Sequence, residues 1–221
     1  MSSVDVLIDS IESVLTGITG TGYTSASDID DVYEGYVLSR FIHAAAALGW
    51  SWTLETPAGP AGPLLRFRCG PGVIHSPTEF TFARLTHPDQ EDLEAHLGIM
   101  VAGRSEVAHE YDLAVITRAA ADTARLTHQP PPWDSVAVHA ECKFYSGALS
   151  LGLGRALRGL SADCRLRLRG GLVSNGPEVE SIRDLLKHHG AYYRPNGLPG
   201  SSGETDLDAD LRKRLSRWMA G

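Results

Sequence analysis

The sequence predicts an α/β domain in which a mixed central sheet is flanked by helices. Three observations carry that expectation. Helical periodicity recurs at both ends and in the middle of the chain. Between the helices lie short runs in which apolar and polar residues alternate, as in half-buried strands. Two further runs, His109-Glu110-Tyr111-Asp112-Leu113-Ala114-Val115-Ile116 and Val136-Ala137-Val138-His139-Ala140-Glu141-Cys142-Lys143-Phe144-Tyr145, are rich in β-branched and aromatic residues and read as buried strands. At 221 residues, 43% hydrophobic and 21% charged, the chain suffices for one well-packed domain over positions 1–221.

The elements follow in order. Residues 4–18 form an amphipathic helix, with Val4, Leu7, Ile8, Ile11, Val14, Leu15 and Ile18 at helical spacing and Asp5, Asp9 and Glu12 opposite. A second helix starts near Ser27, a suitable N-cap, and Asp28, Asp30 and Asp31 suit its N-terminus. It runs through Tyr33, Val37, Phe41 and Ala45 to a stop at Gly49. Residues 51–55 predict a strand, 57–63 a turn-rich break, 64–68 and 79–85 antiparallel strands, and 97–102 another strand. The two acid-bearing strands come next, separated by an insertion over 117–134 with its Pro130-Pro131-Pro132 run. Residues 149–160 predict a helix, 166–174 a strand ended by Asn175-Gly176-Pro177, and 179–188 a helix whose Lys187, His188 and His189 suit its C-terminal end. A linker over 195–203 leads to a final helix over 206–218, with Leu207, Leu211, Leu215 and Trp218 on one face. The helices at 4–18 and 206–218 are expected as appendages to the domain.

Composition narrows the function. The net charge of −7 disfavours non-specific binding to nucleic acid through overall charge, since phosphate contacts need Lys and Arg. Cys69, Cys142 and Cys164 are odd in number and show no CxxC, which predicts a reduced, cytoplasmic setting. The first residues lack the basic and apolar regions of a secretory leader, and no stretch reaches the length of a membrane span.

The chemistry lies in the two acid-bearing strands. Charges inside apolar runs are normally paired or bind metal. Glu141 and Lys143 are two positions apart and point the same way, so if the strands are neighbours Asp112 joins them. Two carboxylates and one ammonium would then converge, the layout of a divalent-metal site beside a phosphate. A buried ion pair between Lys143 and Asp112 or Glu141 is the competing reading. Of the 20 basic residues only Lys143, Lys187 and Lys213 are lysines, so the use of lysine at position 143 runs against the bias of the chain.

Asp112 followed by Glu141-Cys142-Lys143 at the end of the next apolar strand resembles the D…(D/E)xK signature of the PD-(D/E)xK nucleases, the restriction-endonuclease-like superfamily. The resemblance covers residues 28–190. Tyr111 stands where the family often has proline, and the interval of 29 positions between Asp112 and Glu141 exceeds a simple hairpin, hence the insertion. The resemblance implies a restriction-endonuclease-like fold and metal-dependent hydrolysis of phosphodiester bonds, in DNA ahead of RNA, in a setting such as bacterial restriction, phage defence or repair. It implies that Asp112, Glu141 and the Cys142 carbonyl hold Mg²⁺ or Mn²⁺ and that Lys143 acts on the attacking water or the phosphate. Glu34 matches the helix glutamate that completes the metal site in that family; the alternative is an ordinary exposed acid in the first turns. Arg155, on the helix after the motif, resembles a phosphate-facing residue; Arg158 reads as surface.

Several neighbours stay open. Glu110 shares the Asp112 face as a further ligand or as the solvated start of the strand. Arg165, Arg167 and Arg169 form a basic stripe, a solvated face or a track for a phosphate backbone. A homodimer or a separate recognition subunit would supply what so acidic a chain lacks. Other signals are weak. Gly152-Leu153-Gly154 with Gly159 is a lone glycine pattern, His139 and Cys142 face opposite sides of one strand, and the histidines lack a zinc spacing. Two other functions remain as alternatives: a catalytically silent nuclease-like domain that binds nucleic acid or a partner protein, and a Rossmann-like nucleotide-binding module.

Overall fold

A computed structural model describes residues 3–16, 18–164 and 170–221. Among the described residues, six α-helices flank one eight-stranded mixed sheet. The helices are α1 (Ser3–Val14), α2 (Ile29–Ala46), α3 (Arg118–Thr127), α4 (Leu151–Asp163), α5 (Glu180–His188) and α6 (Ser202–Met219). The strands are β1 (Ser51–Thr56), β2 (Gly59–Pro60), β3 (Phe82–His87), β4 (Gln90–Ala102), β5 (Ala108–Thr117), β6 (Val136–Lys143), β7 (Gly170–Ser174) and β8 (Tyr192–Arg194). Their order is β2-β1-β3-β4-β5-β6-β7-β8, antiparallel as far as β6 and parallel from β6 to β8. The meander from β3 to β6 uses short connections or α3, while the parallel steps use α4 and α5 as crossovers, as parallel pairing requires. Among the described residues no helix is long and apolar enough to cross a membrane.

The sheet is covered on both faces. Leu113 and Val115 of β5 enter one apolar cluster with α1, α2 and α6, whereas Ala114 and Ile116 enter another with Ala121 and Ala124 of α3. Side chains alternate across a strand, so these clusters lie on opposite faces. A third cluster joins Leu157 of α4 and Ile182 of α5 to Leu172 and Tyr193. Leu7 and Ile11 of α1 and Leu207, Leu211 and Leu215 of α6 are buried in the first cluster.

Several expectations from the sequence need correction. Residues 64–68 form no strand: Leu64 bridges only Gly20, and Arg66 exchanges hydrogen bonds with Thr81, so the segment runs beside the sheet. The N-cap of α2 is Asp28, which accepts from the Asp30 N–H, and α1 ends at Val14. The linker before the last helix is shorter than expected, because Ser201 caps α6 by accepting from Glu204 N–H. β8 was not foreseen; three residues carry too short a pattern to read. The proline-bearing insertion contains α3. The arginine stripe at Arg165, Arg167 and Arg169 lies outside the described residues, and the strand expected there is described from Gly170.

The largest difference is β4, 13 residues long where the sequence predicts six. Glu91, Asp92 and Glu94 disguise its first half as a loop. Glu94 is fully buried, and His96 Nε2 lies 2.9 Å from its carboxylate, with Arg125 of α3 paired to it as well. Burial alone would raise the Glu94 pKa, but His96 and Arg125 outweigh it and hold it at about 2. An acid is compatible with this strand because α3 brings its counter-charge. Arg125→Ala should therefore cost about 3 kcal/mol, the low end for breaking a buried pair, because Arg118 and His96 remain beside Glu94. Urea denaturation measures it; a loss below about 1 kcal/mol would reduce the pair to a surface contact.

Candidate active site

β5 and β6 pair antiparallel, with Leu113 opposite Ala140 and Ala114 opposite His139. One step further the ladder changes character. Asp112 Oδ2 accepts the Cys142 N–H at 2.7 Å, so a carboxylate takes the donor of the neighbouring strand. The backbone around Asp112 also turns over. Leu113 belongs to the first apolar cluster and Tyr111 to the second, although two positions on a regular strand share a face. The same reversal occurs in β4 between Leu97 and Ile99, which pair with Leu113 and Tyr111. Between them Gly98 has φ +54°, and a Cβ there would lie 2.5 Å from the Gly70 carbonyl oxygen. Glycine is the residue that admits this twist.

The buried Asp112 carboxylate meets Lys143 at the end of β6. Lys143 Nζ donates to Asp112 Oδ2 at 3.0 Å and lies 2.8 Å from Glu141 Oε1. The three residues expected to converge do so. Burial alone would lower the Lys143 pKa, but Asp112 and Glu141 outweigh it and hold the ammonium protonated beyond the ordinary lysine range. Burial and the Asp112 charge raise the Glu141 pKa against the pull of Lys143. Cys142 turns its thiol into the first apolar cluster. Its carbonyl belongs to the strand paired in parallel with β7, where Cys142 stands opposite Val173.

α2 leans over this corner. Asp30 Oδ1 accepts the Phe144 N–H at 3.3 Å, and the rings of Tyr33 and Phe144 meet edge to face at 5.4 Å between centroids. This docking puts Glu34, one turn further along, within the field of Asp112, Lys143 and Glu110. Burial, then Asp112 and Asp31, push the Glu34 carboxyl up to about 9. Glu34 is half-buried, unlike the exposed acid that was its alternative reading. Glu110 is exposed at the edge of the cluster, and burial, Asp112 and Glu141 raise its pKa too.

Four acids and one ammonium thus share this corner, and hard oxygen donors with surplus negative charge fit Mg²⁺ or Mn²⁺. The fit is not closed. The ligand oxygens of Asp112, Glu141 and Glu34 do not all lie within 4.8 Å of one another, and Lys143 bridges two of them. Arg155 and Arg158 are exposed on α4 and, among the described residues, make no ion pair with the cluster. The sequence missed Asn175, which clamps the chain after the motif: Tyr145 N–H donates to its Oδ1 at 2.8 Å and its Nδ2 donates to Tyr145 O at 3.0 Å. Asn175 was visible only as a turn residue. Asp30 was read as a helix-terminal charge, and nothing in the sequence indicates its reach to Phe144.

Comparison of the chain with family models, with curated proteins and with solved structures finds no match.

Glu34 gives a pH signature. Its folded pKa lies above its unfolded value of 4.5, so its contribution to stability is full below 4.5 and is lost as pH rises through about 9. In metal-free buffer, Glu34→Gln should be the more stable protein at about pH 9 and lose that advantage near pH 5. Paired urea titrations at the two pH values check this; equal differences at both would mean that Glu34 titrates normally.

Proposed function

We propose that this protein is a metal-dependent nuclease that hydrolyses phosphodiester bonds, in DNA ahead of RNA. The observation that carries the reading is the meeting of Asp112, Glu141 and Lys143 at one corner of the sheet, with Glu34 brought to it by α2. The D…ExK pattern that resembles the PD-(D/E)xK nucleases is consistent with this grouping.

In this reading Asp112, Glu141, Glu34 and the Cys142 carbonyl would hold Mg²⁺ or Mn²⁺. When bound there, such an ion would supply a Lewis acid for the phosphodiester and for a water. The remaining chemistry belongs to the chain. Lys143 is held protonated, so it donates: it orients the attacking water and offsets charge developing on a phosphate oxygen. Asp112 fixes where that ammonium sits, and its own position is fixed by the Cys142 N–H. Glu34 favours its neutral form until a cation offsets Asp112 and Asp31, so its ionisation is coupled to cation binding. Arg155 faces solvent beyond the motif and is free to meet a phosphate. The net charge of −7 leaves backbone binding short of cations, which favours a homodimer or a recognition subunit as the source of further DNA contacts.

A second reading has its own observation. Lys143 already satisfies both Asp112 and Glu141, so the cluster is a self-contained ion triad without any metal. That favours a catalytically silent nuclease-like domain that binds nucleic acid or a partner protein.

Single-turnover cleavage of plasmid, linear and single-stranded DNA and RNA, with Mg²⁺, Mn²⁺ or chelator, separates the two. The nuclease reading expects cleavage with metal and none with chelator. Lys143→Ala should lower the rate by at least about 10²-fold, the scale of losing one transition-state donor. Calorimetry should show Mn²⁺ affinity unchanged or higher, because the competing ammonium is gone. Lys143→Arg should rescue poorly, since a planar fork does not fill the place of a compact ammonium. Absence of metal-dependent cleavage on every substrate, with nucleic-acid binding retained, would leave the silent domain.

A further inference from the structure

We propose that His109, Asp163 and Cys164 form a zinc site, separate from the acidic corner, that fastens the end of α4 to the β4–β5 hairpin. His109 lies near the start of β5, Asp163 is the last residue of α4, and Cys164 is its C-cap. Their ligand atoms all lie within 4.8 Å of one another, and among the described residues no other trio of His, Cys, Asp or Glu does so. The donor set decides the metal. An imidazole, a carboxylate and a thiol together suit borderline Zn²⁺, whereas Mg²⁺ and Ca²⁺ take oxygen ligands alone. Tetrahedral Zn²⁺ with bonds of about 2.0–2.3 Å sets its ligands roughly 3.3–3.6 Å apart. His109 Nε2 and Asp163 Oδ2 stand 2.8 Å apart as a hydrogen-bonded pair, so they need to part only slightly. Three protein ligands leave a fourth position for water.

The surroundings hold the ligands in place. Ser105 N–H donates to Asp163 Oδ1 at 3.0 Å and Ser105 Oγ donates to Oδ2 at 2.6 Å. The Gly103 backbone passes so close that a Cβ there would lie 2.0 Å from Asp163 Oδ2. Arg104 N–H reaches the Asp163 carbonyl at 3.2 Å. A ligand carboxylate pinned by its own hydrogen bonds is the usual outer shell of a metal site. Cys164 is fully buried, and against its sulfur lies the buried Tyr111 hydroxyl, which lacks a hydrogen-bond partner of normal geometry. A thiolate ligand would accept from that hydroxyl. The His109 and Asp163 side chains are 29% and 23% exposed, which leaves the metal a route in from solvent.

The competing explanation is a hairpin clasp made by the His109–Asp163 hydrogen bond alone, and metal loading distinguishes them. The full chain is freed of metal, titrated with Co²⁺ as a spectroscopic stand-in and with Zn²⁺, and its metal content is measured after gel filtration. The zinc site predicts one equivalent of retained Zn²⁺ and a thiolate-to-Co²⁺ charge-transfer band. Cys164→Ser and His109→Gln should each lose the retained zinc, and Cys164→Ser should lose the band. Cys69→Ser should keep both, because Cys69 is exposed elsewhere. Loading at Asp112 and Glu141 would give Co²⁺ binding without that band, so failure of one site is not mistaken for failure of the other. No retained zinc in the wild type, or a band that survives Cys164→Ser, overturns the proposal. A variant that fails to fold is replaced by His109→Asn, and retention of full zinc by that variant overturns the proposal too.

Discussion

Everything distinctive at the acidic corner depends on one contact, the Asp112 carboxylate accepting the Cys142 N–H. A backbone donor of β6 is spent on a side chain instead of on the next carbonyl of β5. A buried carboxylate without donors would be costly, so the contact offsets its desolvation and fixes its place. Lys143 is then drawn to the same oxygen, and Glu141 to Lys143. The twist opposite Gly98 is what swings Asp112 out of the regular alternation of β5.

Two buried acids show how differently this fold treats charge. Glu94 is fully enclosed, yet His96 and Arg125 keep it ionised and hold its pKa at about 2. Glu34 is half-buried, and its burial, with Asp112, Asp31 and Glu110 against the single cation Lys143, pushes its pKa up to about 9. Degree of burial does not separate them; the balance of partners does. A balanced network stabilises the fold and fastens α3 to the sheet. An unbalanced one stores a preference for an added cation, which is what a binding site needs and a structural ion pair avoids.

The helices placed their own faces in the sequence. Leu7 and Ile11, Val37 and Phe41, and Leu207, Leu211 and Leu215 recur at helical spacing and are buried in the structure. The acid-bearing strands were legible for the opposite reason, as charges inside apolar runs. Where the pattern was broken by acids that found distant partners, it misled: the first half of β4 shows no strand signal because Glu94 is paired with Arg125, 31 positions further along the chain. β8 was missed because three residues carry no period of their own, and at 64–68 a brief alternation suggested a strand that the sheet does not take up.

The sequence by itself determined that Asp112, Glu141 and Lys143 are out of place in apolar strands and that Glu141 and Lys143 share a direction, since a strand repeats every two residues. Only the tertiary structure decided that β5 and β6 are neighbours in a register that lets Asp112 reach Cys142, and that α2 docks Glu34 over them. Only it brought Asp163 and Cys164 to His109 across more than fifty positions of chain. Local periodicity fixes where a side chain points along its own element. Which charges meet depends on strand register and helix docking, and these are set by burial summed over the whole core, which no single stretch of sequence contains.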